Sequence, residues 1–172
     1  MKNNSCIIPK PLLLAVILVV NCDMMKSRKQ LQESETIAKQ ETYNIYFEIK
    51  DYEVKKIDIY AQRAEYSGDT TLIYEFKANF YENDSVVATL TGDTGKIQEL
   101  SGFIEVKGRV KLVSSTGDSL ISNRIVWDKR LNLIYSFDES FLFKEGKTVR
   151  AHGLEANPQL TKITFKGKVY VE

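Results

Sequence analysis

An all-β domain built from repeated hairpins is what this sequence predicts, on three observations. From about Tyr43 to the C-terminus, apolar residues recur with a period of two, and no long segment there carries a helical period. Composition agrees. Nine Tyr and eight Phe stand against three Pro, with Val, Ile and Thr frequent, the balance that pleated, half-buried strands favour. Polar turn sequences separate the runs at regular distances: Asp84, Gly117 and Gly146 mark three of them, 33 and 29 residues apart. A strand-turn-strand unit of about 30 residues covers its apolar face only against its neighbours, so the repetition points to an elongated stack. A compact β-sandwich fits the same pattern and stays open as the alternative.

The chain begins differently. Residues 1–10 carry Lys2 and Lys10 and no acid, and residues 12–20, LLLAVILVV, are apolar without a break. Nine helical residues span roughly 13 Å against about 30 Å of hydrocarbon, too short for an ordinary transmembrane helix. A basic start and a short apolar core are the pattern of an export signal, so residues 1–21 are expected to be a signal peptide. The run ends VVNC at Cys22. This resembles the lipobox of bacterial lipoproteins, in which a Cys at the cleavage point becomes diacylated. Asn21 stands where Gly, Ala or Ser is usual. A plain secretory signal, or an uncleaved short anchor with an incidental Cys, is the competing reading; each delivers the body outside the cytoplasm. Residues 22–42 are polar and read as the lipidated Cys and a tether that reaches up to about 70 Å when extended, or else as a short docked helix.

The strands then follow in order. Val54–Ala64 is the first clear run. In 72–80, Leu72, Tyr74, Phe76, Ala78 and Phe80 fall on one face. Val86–Thr91 follows. In 102–112, Ile104, Val106, Val110 and Leu112 alternate with Glu105, Lys107, Arg109 and Lys111. Ser119–Trp127, Leu131–Phe143 and Thr148–Glu155 continue the series, with Ile121 and Ile125 read as inward. The last run, 163–171, aligns Ile163, Phe165, Gly167, Val169 and Val171. Gly108 and Gly167 sit mid-row on otherwise apolar faces. Each either permits a bulge or bend or leaves room for something between the layers.

Several function classes find no support. Lys plus Arg is 24 and Asp plus Glu is 23, so no general basic field recruits nucleic acid. Cys6 and Cys22 both precede the strands, which removes a disulfide framework and a Cys-based zinc site from the body. His152 is the sole histidine. Asp138 and Glu139 are adjacent, so in a strand they face opposite ways, a poor arrangement for paired acid-base work. No Gly-rich phosphate loop or metal-ligand cluster is present. The expectation is a protein that is not an enzyme and uses no cofactor or metal.

The export signal, the polar tether, the all-strand body, Ala61 and Ala64 in an A-x-x-A pattern, the G-D-S-L-I-S hairpin (117–122) and the terminal F-K-G-K-V (165–169) together resemble the LptC family. These are membrane-anchored periplasmic components of lipopolysaccharide export, related in fold to LptA bridge proteins. The resemblance covers roughly 43–172. It departs at the front, where familiar members keep a transmembrane helix. It implies a twisted, open two-sheet β-jellyroll, or β-taco, with lipopolysaccharide or a related glycolipid held by its acyl chains between the sheets. Interior contacts would come from Phe76, Phe80, Ile104, Val106, Gly108, Val110, Leu112, Ile121 and Ile125. It also implies an inner-membrane ABC transporter at the N-terminal edge. An LptA-like bridge protein would pair with the C-terminal edge at Phe165, Gly167, Val169 and Val171. The other function considered is a tethered β-rich lipoprotein that only binds proteins through its sheet edges.

Overall fold

The computed structural model describes residues 40–98 and 100–171. The expected signal peptide, Cys22 and the tether up to residue 39 lie outside them. The described regular structure is all strand: β1 (Gln40–Asp51), β2 (Val54–Ser67), β3 (Thr70–Glu82), β4 (Ser85–Gln98), β5 (Phe103–Ser114), β6 (Ser119–Asp128), β7 (Leu133–Lys144), β8 (Lys147–Ala156), β9 (Ile163–Phe165) and β10 (Val169–Val171). They form one antiparallel sheet in chain order, with β9 and β10 both paired to β8. β1 lies three residues further upstream than the period-two pattern suggested, because Gln40 to Thr42 pair with Tyr66 to Ala64 despite being polar.

The turns on one rim are the ones the repeat marked. Asn83 and Asp84 both have positive φ, as do Glu145 and Gly146. Two such residues between antiparallel strands match the right-handed strand twist and close a tight hairpin. Gly117 closes the β5–β6 turn at φ 91°. Asp118 in that turn meets Lys144 at 2.6 Å; the ammonium holds the Asp118 carboxyl below its ordinary range, against the opposing effect of burial.

β1 to β5 run 12 to 14 residues each, about twice the usual strand length. At about 3.3 Å per residue such strands reach roughly 40 Å, too long to stay flat and bury one face. Each is interrupted near its middle, and the interruptions line up. Asn44 in β1 has φ 52° and lies opposite Gln62, and Glu75 in β3 has φ 47°. The ladder slips between Thr91 and Thr94, between Lys107 and Val110, between Ser122 and Val126, and between Ser136 and Glu139. Gly153 in β8 has φ 78°. Lys166 to Lys168 separate β9 from β10 at the same level, fixed by the hydrogen bonds Lys166 N–H to Gly153 O and His152 N–H to Lys168 O.

Bulges bend and twist a strand. A continuous row of them folds the sheet over its own midline. Contacts across the fold join opposite rims: Phe80 of β3 meets Trp127 of β6 edge-on, ring centroids 5.3 Å apart, and Gln159 beyond β8 donates to Glu82 of β3. The expected open, two-layered β fold is found, and its two layers are halves of one sheet. A single cluster fills the space between them, with Ile59, Ala64, Ile73, Val106, Leu112, Ile125 and Ile134 wholly buried.

The bulges also decide which residues face inward. Ser122 is buried and so is Ile125, three positions on. Ile121 shares alternation with Ile125 by count, but the slip between Ser122 and Val126 puts it outside, 38% exposed, while Leu120 points in. The interior assignment of Ile121 is therefore corrected. The row from Leu72 to Phe80 breaks likewise at Glu75: Thr71 and Ile73 face inward on one side of it, Phe76, Ala78 and Phe80 on the other. On the fold line, Ser122, Ser136 and Ser140 form a buried triangle of hydroxyls with edges of 3.0, 2.6 and 3.1 Å. Three small side chains that satisfy one another let the layers approach where the sheet turns sharply.

Gly108 carries the bend. Its φ is 71°, and a Cβ there would lie 2.5 Å from Asp93 Oδ2. The vacant side-chain position is occupied by Asp93, which pairs with the neighbouring Arg109 at 2.7 Å. Gly108 thus belongs to the bulge and leaves no space for a ligand, which corrects its place among the interior contacts. Gly167 serves the same line, since a Cβ there would run into the His152 carbonyl.

Gly108→Ala is expected to lower unfolding stability by about 1–3 kcal/mol, because it combines a positive φ with the Asp93 collision. Gly117→Ala, with nothing within 4 Å of the added carbon, should cost only the left-handed backbone strain, about 1–2 kcal/mol, without the collision. Urea denaturation of the two variants measures the difference, and equal losses would contradict the assigned role of Asp93.

Candidate functional site

Folding one sheet over itself leaves a seam where the two rims approach. The residues along it come from both halves. Phe47 and Ile49 on β1 face Ile97, Ile104 and Trp127 across a cavity of about 340 Å³. A second cavity, about 570 Å³, continues from it past Trp127 and Lys129, between Phe80 and Val87 on one side and Leu100 and Pro158 on the other. Both volumes lie in the range of about 300–1,000 Å³ common to ligand sites. A third cavity of about 630 Å³ opens beyond residue 158, between the turns at Gly117 and Gly146 and Thr161.

The first cavity has mainly apolar walls, the second mixes polar and apolar surface, and both are charged at the rim. Lys50, Lys129 and Glu48 border the first cavity, with Lys50 and Glu48 paired at 3.3 Å; Lys56, Lys129 and Arg130 border the second, alongside Asp51 and Glu82. Arg130 is held in place by Asp128 at 3.8 Å and by the Phe103 ring, 5.6 Å from its guanidinium carbon. Asp128 in turn accepts hydrogen bonds from the backbone of Arg130 and Leu131, which shapes the β6–β7 turn and presents the cations. Leu100, 87% exposed, stands at the seam with its side chain in water. A cleft with apolar walls and cations at its rim, set among Glu48, Asp51 and Glu82, can take an amphiphile whose anionic head meets those cations.

Trp127 closes the seam at mid-length. It is 2% exposed, packs on Phe80, and donates its indole N–H to Asn132 Oδ1 at 3.3 Å. A buried indole needs such a partner, and Asn132, at φ 51° in the turn, supplies it.

The interior residues named from sequence fall into three groups. Phe80 and Ile104 line the seam cavities. Phe76, Val106, Val110, Leu112 and Ile125 are buried in the cluster between the layers. Gly108 and Ile121 lie on the bulge and the outer surface. The space between the layers is thus filled by the protein's own side chains, as close packing demands, and the open volume is displaced to the seam. Sequence reasoning missed Phe47, Ile49, Ile97, Leu100 and Lys129, since the run containing β1 was not singled out and the hairpin ends read as turns. Leu160 was missed as well. It follows a turn sequence, ANPQ, yet is wholly buried.

Both edges of the sheet are open among the described residues. β1 pairs only with β2. On the far side Val169, Tyr170 and Val171 are 40%, 51% and 65% exposed, and Arg150 lies over the Tyr170 ring. Phe165 packs against the core cluster from β9. The basic row of β5 is largely matched by acids: Lys107 and Arg124 both hold Glu105, at 3.2 and 2.6 Å. Burial works against ionisation of Glu105, yet the two cations outweigh it and keep the carboxyl below its ordinary range.

No family model and no curated protein matches the chain. Among solved structures it is similar to LptH, the LptA-homologous periplasmic component of the lipopolysaccharide transport device of Pseudomonas aeruginosa. Identity is 11% over 78% of this chain and 94% of that chain, with a TM-score of 0.43.

If Trp127 closes the seam, Trp127→Ala should cost about 3–5 kcal/mol of stability. Leu100→Ala, at an exposed position on the same seam, should change it by less than about 0.5 kcal/mol. Thermal denaturation of both variants tests the pair, and a small loss at Trp127 would show that the rims are held by something else.

Proposed function

We propose that this chain is a membrane-tethered carrier for an anionic glycolipid of the lipopolysaccharide class, acting outside the cytoplasm and without covalent chemistry. The observation that carries the reading is the seam: a cleft between the two rims of one folded sheet, with Phe47, Ile49, Phe80, Ile104 and Trp127 on its walls and Lys50, Lys56, Lys129 and Arg130 at its rim beside Glu48, Asp51 and Glu82. Acyl chains lie along the cleft beside Phe47, Phe80, Ile104 and Trp127, and phosphates on the sugar head meet the cations. The buried residues Phe76, Val106, Val110, Leu112 and Ile125 line the space into which chains press as the rims part.

The open edges serve as the points of transfer. Unpaired strand edges recruit further strands. In this reading β1 receives lipid from an inner-membrane ABC transporter, which supplies the energy, and the β9–β10 edge, with Phe165, Gly167, Val169 and Val171, hands it to an LptA-like bridge protein. Cys22, diacylated after removal of residues 1–21, anchors the domain to the inner membrane. The resemblance of the sequence to the LptC family supports this assignment.

The filled interior favours a second reading, in which the edges bind proteins and no lipid is carried. Binding decides between them. The full-length chain in phospholipid nanodiscs, with binding to empty nanodiscs subtracted, should bind purified lipopolysaccharide. Reversing Lys50, Lys129 and Arg130 to Glu should weaken binding by about tenfold or more at low salt, with the difference shrinking as salt screens the cations. Absence of binding by the unaltered chain contradicts the carrier role and leaves the protein-binding module. Mass analysis of the chain from cells would show a diacylglyceryl adduct that Cys22→Ser abolishes.

A further inference from the structure

We infer that residues 157–162 form a displaceable stopper that holds Leu160 in the lipid path and so gates the seam; this inference rests on the carrier reading. The segment connects β8 to β9 and crosses the seam between two cavities. Pro158 and Gln159 line the one of about 570 Å³, and Thr161 lines the one of about 630 Å³ on the other side. Leu160, between them, is wholly buried in the core cluster. Withdrawing it would join the two volumes into one channel along the seam.

The loop is built to move as a unit. Asn157 organises it from within: its Oδ1 accepts from the N–H groups of Thr161 and Lys162, and its carbonyl accepts from Leu160 N–H at 2.9 Å. Its Nδ2 also bonds Gln159 and Thr161. These bonds survive a swing of the whole segment. Its polar attachment to the opposite rim is the hydrogen bond from Gln159 to Glu82, 2.9 Å long and exposed to solvent, and water readily replaces such a bond. What remains is the burial of Pro158 and Leu160, the latter at φ 57°. That left-handed conformation is uncommon for a bulky apolar side chain, and strain of this kind is one of the features found at switch segments. An acyl chain offers the same apolar contacts as Leu160 and can replace it without leaving the interior empty.

The test follows uptake of 11-(dansylamino)undecanoic acid by stopped-flow fluorescence, with the full-length chain in nanodiscs. Glu82→Ala, a change at the surface, should speed association about threefold to tenfold, the factor that one exposed hydrogen bond represents. Leu160→Ala should both speed association and tighten binding, because the occupant of the path is gone. Gln159→Ala should reproduce Glu82→Ala, which keeps the inference open to refutation if Leu160→Ala fails to fold. Binding by the unaltered chain with no change of rate in Glu82→Ala and Gln159→Ala overturns the stopper while leaving the carrier intact. Absence of probe binding by the unaltered chain overturns the carrier reading and the stopper with it.

Discussion

The aligned backbone interruptions from Asn44 to Gly167 are the constraint on which the rest of the structure depends. Strands of 12 to 14 residues with one apolar face need a second layer to cover them. Here the second layer is the other half of the same strands. The interruption makes this possible at each step: a positive φ at Asn44 and Glu75, a bulge at Gly108 with Asp93 filling the vacant position, small hydroxyls at Ser122, Ser136 and Ser140, and a break at Lys166 to Lys168 where Gly167 passes the His152 carbonyl.

A sheet folded along its midline differs from two sheets joined by loops. It has one closed side, at the fold, and one side where rims merely approach. Apolar side chains and a few polar contacts hold that side, including Phe80 on Trp127 and Gln159 on Glu82. Rims held this way can part without breaking any strand ladder, since the ladder hydrogen bonds run within each half. The cavities and the rim cations are found on that side. An amphiphile bound there would exchange one set of apolar contacts for another, so a filled interior in the ligand-free chain and a lipid-carrying role are compatible.

Much of this was legible in the sequence. Period-two alternation gave the strands, and Asp84, Gly117 and Gly146 gave the hairpins and their common rim. Gly108 and Gly167, 59 residues apart, pointed to a bend. What could not be read was the effect of a bulge on the strand beyond it. Each inserted residue reverses the facing of all that follow, so Ile121 and Leu72 were assigned to the wrong side although their neighbours were right. The seam was hidden for another reason. Its residues come from strand ends far apart in the chain, such as Phe47 and Trp127, and only the folded sheet brings them together. Leu160 carried no periodic signal, since a lone apolar residue after Asn-Pro reads as part of a turn.

Site-specific photo-crosslinking in living cells measures the central claim most directly. A photoreactive phenylalanine at Phe47, on the seam, and another at Ile121, on the outer surface, differ in the feature that matters. A glycolipid adduct from position 47 and none from 121 is the result this account predicts. Adducts from neither position, or equally from both, would contradict it.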